Sequence, residues 1–127
     1  VDTGSSDNTR EVAQQYGAQV VEVEWSEDFS AARNCALSHS SGDWILWLDS
    51  GETMQADDAS ALREMVDCEL DDTKAYLLVV KPPAADGTIA AEQVARVRLM
   101  PRREGLRFYG RVRESVLPSL EAHGIAL

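Results

Sequence analysis

Two carboxylates flank a glycine near the middle of this 127-residue chain: Asp49 and Glu52, in the run Leu48-Asp49-Ser50-Gly51-Glu52. Carboxylates spaced as Asp-x-Asp can hold a divalent cation and, through it, a diphosphate, because hard cations take oxygen ligands. Gly51 stands where the second carboxylate of that pattern would be. Glu52 is then a substitute ligand or a solvated loop carboxylate. Asp49 reads as ligand-facing or as the cap of the turn that follows, since Asp beside Ser-Gly is common in turns.

Other residues can handle an anion. Arg33 falls on an apolar helical stripe with Phe29, Ala32, Ala36 and Leu37. A guanidinium stays charged, so a buried Arg33 needs an anionic partner. That partner is either Asp49 or another nearby carboxylate, or a nucleotide or its diphosphate. Asn34 beside it reads as a polar surface residue. Residues 2–7, Asp-Thr-Gly-Ser-Ser-Asp, join a strand end to a helix start, where backbone N–H groups and small hydroxyls can meet a nucleotide or simply form a turn and cap. His39 and His123 lack a second histidine or glutamate at metal-binding spacing and read as helix-end or surface residues. Arg96, Arg98, Arg102, Arg103, Arg107, Arg111 and Arg113 are dense for an acidic chain. They read as a mostly solvated strand face, with Arg111 and Arg113 able to face a diphosphate.

These side chains need a scaffold. Five consecutive apolar residues, 44–48, lie between Asp43 and Asp49. A strand buried on both faces of a parallel sheet has this pattern, and ligands in open α/β sheets sit beyond the carboxyl ends of such strands. The strand is therefore expected to be central and nearly inaccessible, with Asp49 and Arg33 in one cleft. Helices are expected after Asp7 or Asn8, from Phe29, and over 57–66; strands over 20–23, 76–80 and 94–100. Strands alternating with helices predict an α/β fold with a mainly parallel sheet and a later antiparallel addition. Residues 82–87, Pro-Pro-Ala-Ala-Asp-Gly, read as an exposed turn.

Composition sets limits. The net charge of −10 disfavours nucleic acid and anionic membrane surfaces as partners. No apolar stretch approaches the roughly 20 residues of a transmembrane segment. Cys35 and Cys68 lack metal-ligand spacing and read as reduced thiols. The opening Val1-Asp2-Thr3-Gly4 reads as the end of a strand, so residues 1–127 are expected to be a partial domain lacking its first strand. An exposed sheet edge there favours a homo-oligomer.

Three ordered segments together resemble the family 2 glycosyltransferases. Residues 1–9, Val-Asp-Thr-Gly-Ser-Ser-Asp-Asn-Thr, are close to that family's Val-Asp-Thr-Gly-Ser-Thr-Asp-Gly-Thr pattern. Residues 29–34 match Phe-x-x-Ala-Arg-Asn, and residues 42–49 match the strand leading into its Asp-x-Asp motif. Residues 108–114, Phe-Tyr-Gly-Arg-Val-Arg-Glu, look like the Gly-x-Val-His-Glu element of one bacterial branch.

The resemblance implies the GT-A (nucleotide-diphospho-sugar transferase) fold, with a Rossmann-like mainly parallel sheet flanked by helices. It implies inverting transfer from a nucleotide-sugar donor, usually UDP-linked, to an acceptor that is a glycan, lipid or protein. It places Asp2 and Thr3 near the base, Arg33 near the nucleotide, and Asp49 near the ribose and metal; Arg113, where the family has histidine, is a further candidate donor contact, and Glu114 is a candidate for the carboxylate that takes the acceptor's proton. Mn²⁺ or Mg²⁺ belongs to the family pattern; if a divalent ion binds here, Asp49 would hold it with Glu52 as the substitute ligand. Gly51 and Arg113 depart from that pattern, removing a carboxylate and adding a fixed positive charge, so no metal cofactor is expected at the altered motif. The expected location is the cytoplasm, including the inner face of the membrane. The alternative is a degenerate module that binds a nucleotide or partner without turnover. A dehalogenase-type phosphatase loop also needs a carboxylate at Gly51, and a Rossmann dehydrogenase needs the missing Gly-x-Gly-x-x-Gly.

Overall fold

The computed structural model describes residues 1–68, 70–80 and 94–127. The expected turn at 82–87 lies outside the described residues. The elements run α1 (Thr9–Gln15), α2 (Phe29–Ser38), β1 (Trp44–Leu46), α3 (Ala56–Cys68), β2 (Tyr76–Val80), β3 (Val94–Pro101) and α4 (Leu117–Ala122). They fall into two compact units, Val1–Ser41 with Glu104–His123, and Gly42–Arg103 with Gly124–Leu127.

In the first unit Asp2 and Glu22 form an isolated parallel bridge, through Asp2 N to Val21 O (2.8 Å) and Val23 N to Asp2 O (2.9 Å). These two bonds are all that forms of the strand expected over 20–23. α1 starts where Asp7 Oδ1 accepts from the Thr9 amide and hydroxyl at 3.1 and 2.6 Å. The helix has no buried residue, and Val12 and the following Tyr16 are exposed. α2 is capped by Asp28, which adopts an extended backbone and accepts from Ala31 N. The sequence reading had no element beyond residue 100, yet α4 buries Ser119 and Leu120. The available signal was Pro118 in the first turn, with Val116 and Leu120 one turn apart.

The second unit holds one three-stranded sheet in the order β1-β3-β2, and both pairings are antiparallel. The antiparallel β2–β3 pair agrees with the expected later addition. The mainly parallel sheet does not appear among the described residues; parallel pairing is confined to isolated bridges such as Asp2–Glu22 and Lys74–Ala126. β1 is also shorter and more open than expected. It is an outer strand, and Leu46 and Leu48 are 40% and 46% exposed. β3 takes the central place, with Leu99, Met100 and Pro101 fully buried and Ile45 of β1 opposite Met100. An unbroken apolar run does not by itself separate a central strand from an outer one beside a helix. α3 begins with Asp57 and Asp58, favourable at the positive end of the helix dipole. Its Leu62 and Val66 line an apolar cavity of about 440 Å³ with Trp44, Leu46 and Leu99. Among the described residues no helix is long and apolar enough to cross a membrane.

Candidate functional site

In the second unit the chain leaves β1 and turns sharply at residues 49–52. Glu52 N donates to Asp49 O at 3.0 Å, closing a four-residue turn. Gly51 takes the third position with φ of 84°, the backbone geometry a type II turn asks of that residue. Space beside it is open, since a Cβ added there would meet nothing within 4 Å. The glycine is thus required by the shape of this turn. It does more than omit a carboxylate.

Both carboxylates of the turn are fully engaged. Asp49 Oδ1 accepts from the Trp47 indole Nε1 at 2.8 Å, and Asp49 Oδ2 accepts from Arg98 Nη2 at 2.8 Å. Glu52 Oε1 accepts from the same Arg98 nitrogen at 2.5 Å, while its Oε2 accepts from Asp49 N at 2.9 Å. The Arg98 side chain is 7% exposed, against 35% for Asp49 and 19% for Glu52. Its Nε is buried without a hydrogen-bond partner among the described residues. Arg98 is therefore not part of a solvated strand face, as its place in the arginine cluster suggested. The Trp47 N to Arg98 O bond, 2.7 Å, fixes its main chain against the end of β1. A single and a double positive charge about 4 Å apart repel by about 8 kcal/mol at an effective dielectric of about 20. A divalent ion at these oxygens would meet that repulsion from Arg98, set against its attraction to the two carboxylates. Among the described residues no three His, Cys, Asp or Glu side chains converge as a metal-holding group.

The first unit holds the other sequence-predicted residues. Asp2 Oδ1 accepts from the amides of Gly4 and Ser5, both at 3.0 Å. The Ser5 hydroxyl and these amides hold its carboxyl below the usual aspartate range. Thr3 lines a cavity of about 160 Å³ with Val23, Trp25, Asp28, Ala31 and Cys35. Trp25 packs edge-on against Phe29, with ring centroids 4.8 Å apart.

Arg33 pairs through Nε with Glu114, one of the nearby carboxylates that its place on an apolar stripe called for. The two side chains are 18% and 10% exposed, and the Arg33 guanidinium lies 5.3 Å from the centroid of the Phe108 ring. The candidate base thus sits in an ion pair with the candidate nucleotide contact. Asn34 is not a surface residue either. Its Nδ2 donates to Phe108 O (3.0 Å) and its Oδ1 accepts from Phe108 N (2.7 Å), so one amide satisfies both main-chain groups of a single residue. The next residue, Tyr109, exchanges both main-chain bonds with Ser115 at 2.9 Å, closing the 109–115 loop that carries Arg111, Arg113 and Glu114. Arg111 ties this loop to the start of α2, through Phe29 N to Arg111 O (3.0 Å) and Arg111 Nη2 to Ser26 O (3.3 Å). Arg113 is exposed and adopts a left-handed backbone, φ 56°, uncommon for a side chain of its kind.

The expected residues are thus distributed as two sets. Asp2, Thr3, Arg33, Arg113 and Glu114 belong to the first unit, Asp49 and Glu52 to the second. The sequence reading missed Arg98 and undervalued Asn34. The two histidines sit at helix ends as expected, His39 with Nδ1 2.8 Å from Cys35 O and His123 with Nδ1 2.7 Å from Ser119 O.

Comparison with known proteins adds a family. The model described as Glycosyl transferase family 2 matches residues 1–107. That span includes Asp2, Thr3, Arg33, Asp49, Glu52 and Arg98 but stops short of Arg113 and Glu114. Over 123 residues, 96% of the chain, the sequence is 35% identical to a TPR repeat-containing protein of Synechococcus elongatus, and spans 29% of that protein. Over 62 residues, 49% of the chain, it is 37% identical to glycosyltransferase AglJ of Haloferax volcanii, and spans 20% of it.

Proposed function

Because the chain belongs to glycosyl transferase family 2, we propose that it forms the catalytic domain of an inverting transferase of GT-A fold, moving a sugar from a UDP-linked donor to a glycan, lipid or protein acceptor. The observation that carries the reading is the family match over residues 1–107, which contains the Asp2 loop, Arg33 and the 49–52 turn. Family membership implies a sugar donor and an acceptor.

In this reading Asp2 and Thr3 receive the base, Arg33 the nucleotide, Asp49 the ribose, and Arg113 the diphosphate. Glu114 takes the proton of the acceptor hydroxyl as its oxygen bonds to the sugar's anomeric carbon. The bond from that carbon to the diphosphate breaks, and the nucleoside diphosphate leaves with the electron pair. Fixed positive groups favour the charge that gathers on it. The Thr3 cavity, walled by Trp25 and Ala31, supports a place for a flat ring. The Arg33–Glu114 pair supports a fixed orientation for both groups. The proposed setting is the cytoplasm or the inner face of the membrane, and association of two copies through an outer strand of the sheet belongs to the same proposal.

A second reading, a module that binds a nucleotide without turnover, is favoured by one observation. Glu114 and both turn carboxylates already pair with arginines. Release of UDP from a panel of nucleotide-sugars by the full-length protein separates the two. Turnover of one donor is expected, falling by about 100-fold or more in Glu114→Gln. Binding without turnover establishes the second reading, and neither binding nor turnover sinks both.

A further inference from the structure

We propose that Arg98 is the resident cation of the 49–52 turn: its guanidinium bridges Asp49 and Glu52 where a divalent ion would otherwise do so, and the turn is organised without a metal. The inference rests on reading this turn as donor-facing.

Four features support it. First, all four carboxylate oxygens of Asp49 and Glu52 already accept a hydrogen bond, two of them from one Arg98 nitrogen. Second, Arg98 is the most buried of the three side chains and cannot lose its charge by deprotonation, so the positive charge is permanent. Third, it projects from the central strand, whose main chain is bonded to Trp47 at the mouth of the turn, so the cation is placed by the sheet and not by a loop. Fourth, Gly51 has a φ that strains any L side chain, so this turn geometry is incompatible with an unstrained third carboxylate. The donor set of a metal clamp has been converted into a guanidinium clamp. Arg98 acts here as a positioning residue: it holds both carboxylates at fixed separation, as the metal does in an Asp-x-Asp site. The buried Nε without a partner leaves one further donor on the same group.

The experiment is a titration of Mn²⁺ alone, followed by electron paramagnetic resonance, on the full-length protein and on Arg98→Met and Arg98→Met/Glu52→Gln, with circular dichroism to show that each folds. The unmodified protein is expected to leave Mn²⁺ free. Arg98→Met, which removes the guanidinium that the two carboxylates share, is expected to bind Mn²⁺ at least about tenfold more tightly, and adding Glu52→Gln to remove that gain. A purely structural arginine would give no gain on removal. Mn²⁺ retained by the unmodified protein and lost in Asp49→Asn overturns the proposal, as does a folded Arg98→Met without gain. Should Arg98→Met not fold, the unmodified protein decides by itself: Mn²⁺ left free supports the proposal and Mn²⁺ held through Asp49 overturns it. The probe requires no donor and no turnover, so this outcome stands apart from that of the UDP-release assay.

Discussion

Arg98 and Asp49 lie 49 residues apart in sequence and meet at 2.8 Å between Nη2 and Oδ2. The contact fastens a turn to the middle strand of the sheet. Its energetic character follows from burial: the guanidinium is almost wholly removed from water, while Asp49 keeps about a third of its surface exposed. Most of the desolvation cost therefore falls on the arginine, and the two carboxylates offset it.

Removing the arginine takes away the guanidinium that Asp49 and Glu52 share. Arg98→Met is expected to destabilise the protein by about 3 kcal/mol, at the lower end of the range for breaking buried ion pairs because the carboxylates retain some water. Arg98→Lys should recover part of this, since a lysine keeps the charge and loses the fork. Urea unfolding followed by tryptophan emission measures both. A loss below about 0.5 kcal/mol, the scale of an exposed pair, would show the bridge to be superficial.

The amide clamp of Asn34 on Phe108 makes a second prediction. Asn34→Ala leaves a main-chain N–H and C=O without that partner, at a cost of about 2 kcal/mol. The Phe108 amide should then exchange with deuterium much faster than in the unmodified protein. Unchanged exchange would mean that the clamp does not protect it.

For Arg33 and Glu114 a double-mutant cycle is the cleaner test. Arg33→Met and Glu114→Gln should each destabilise, and the double variant should cost less than their sum by about 1 kcal/mol or more. Strict additivity would remove the pair from the energetics of the fold.

Acid should weaken the fold through a recurring local device. Asp7, Asp28 and Asp71 each accept from the hydroxyl of a Ser or Thr two residues on and from a nearby amide, and each carboxyl is held below the usual aspartate range, by the hydroxyl first. A depressed folded-state pKa means that the unfolded chain binds protons more readily. The contribution is fully present above the unfolded value of about 4 and is lost as pH falls below it through the folded values. Unfolding midpoints should be flat in this respect from pH 7 to about 5 and fall towards pH 3. Replacing Asp28 by Asn, which keeps an acceptor for Ala31 N, should reduce the slope. A flat profile down to pH 3 would contradict the assignment.

Local chemistry made much of this legible in sequence. The apolar stripe that begins at Phe29 announced the start of α2, and Tyr76 to Val80 announced β2, because short apolar patterns are written in neighbouring residues. The family motifs at 1–9, 29–34 and 42–49 carried the assignment to a family. What escaped depends on pairing at a distance. Periodicity cannot tell whether the 44–48 run lies in the middle of a sheet or at its side. Nor can it tell which of seven arginines is swallowed by the core. Arg98 differs from Arg96 by standing next to Leu99 and Met100, where the central strand is covered on both sides, and only the strand order reveals that. Asn34 looked like surface because its two partners are the main chain of a residue 74 positions away.

The register of β1 against β3 has a consequence for folding. Trp44 stands opposite Pro101 and Leu46 opposite Leu99, and this alignment brings Arg98 to the mouth of the turn. Side chains alternate between faces along a strand, so a slip of one residue would carry Arg98 to the other side of the sheet. Asp49 and Glu52 would then lose the guanidinium they share, and that guanidinium would be left in an apolar layer. Val97, Leu99 and Met100 would tolerate such a slip far better, since valine, leucine and methionine fill similar space. The ion triad therefore acts as a proofreader of strand alignment, rejecting a misthreaded sheet that hydrophobic contact alone would accept.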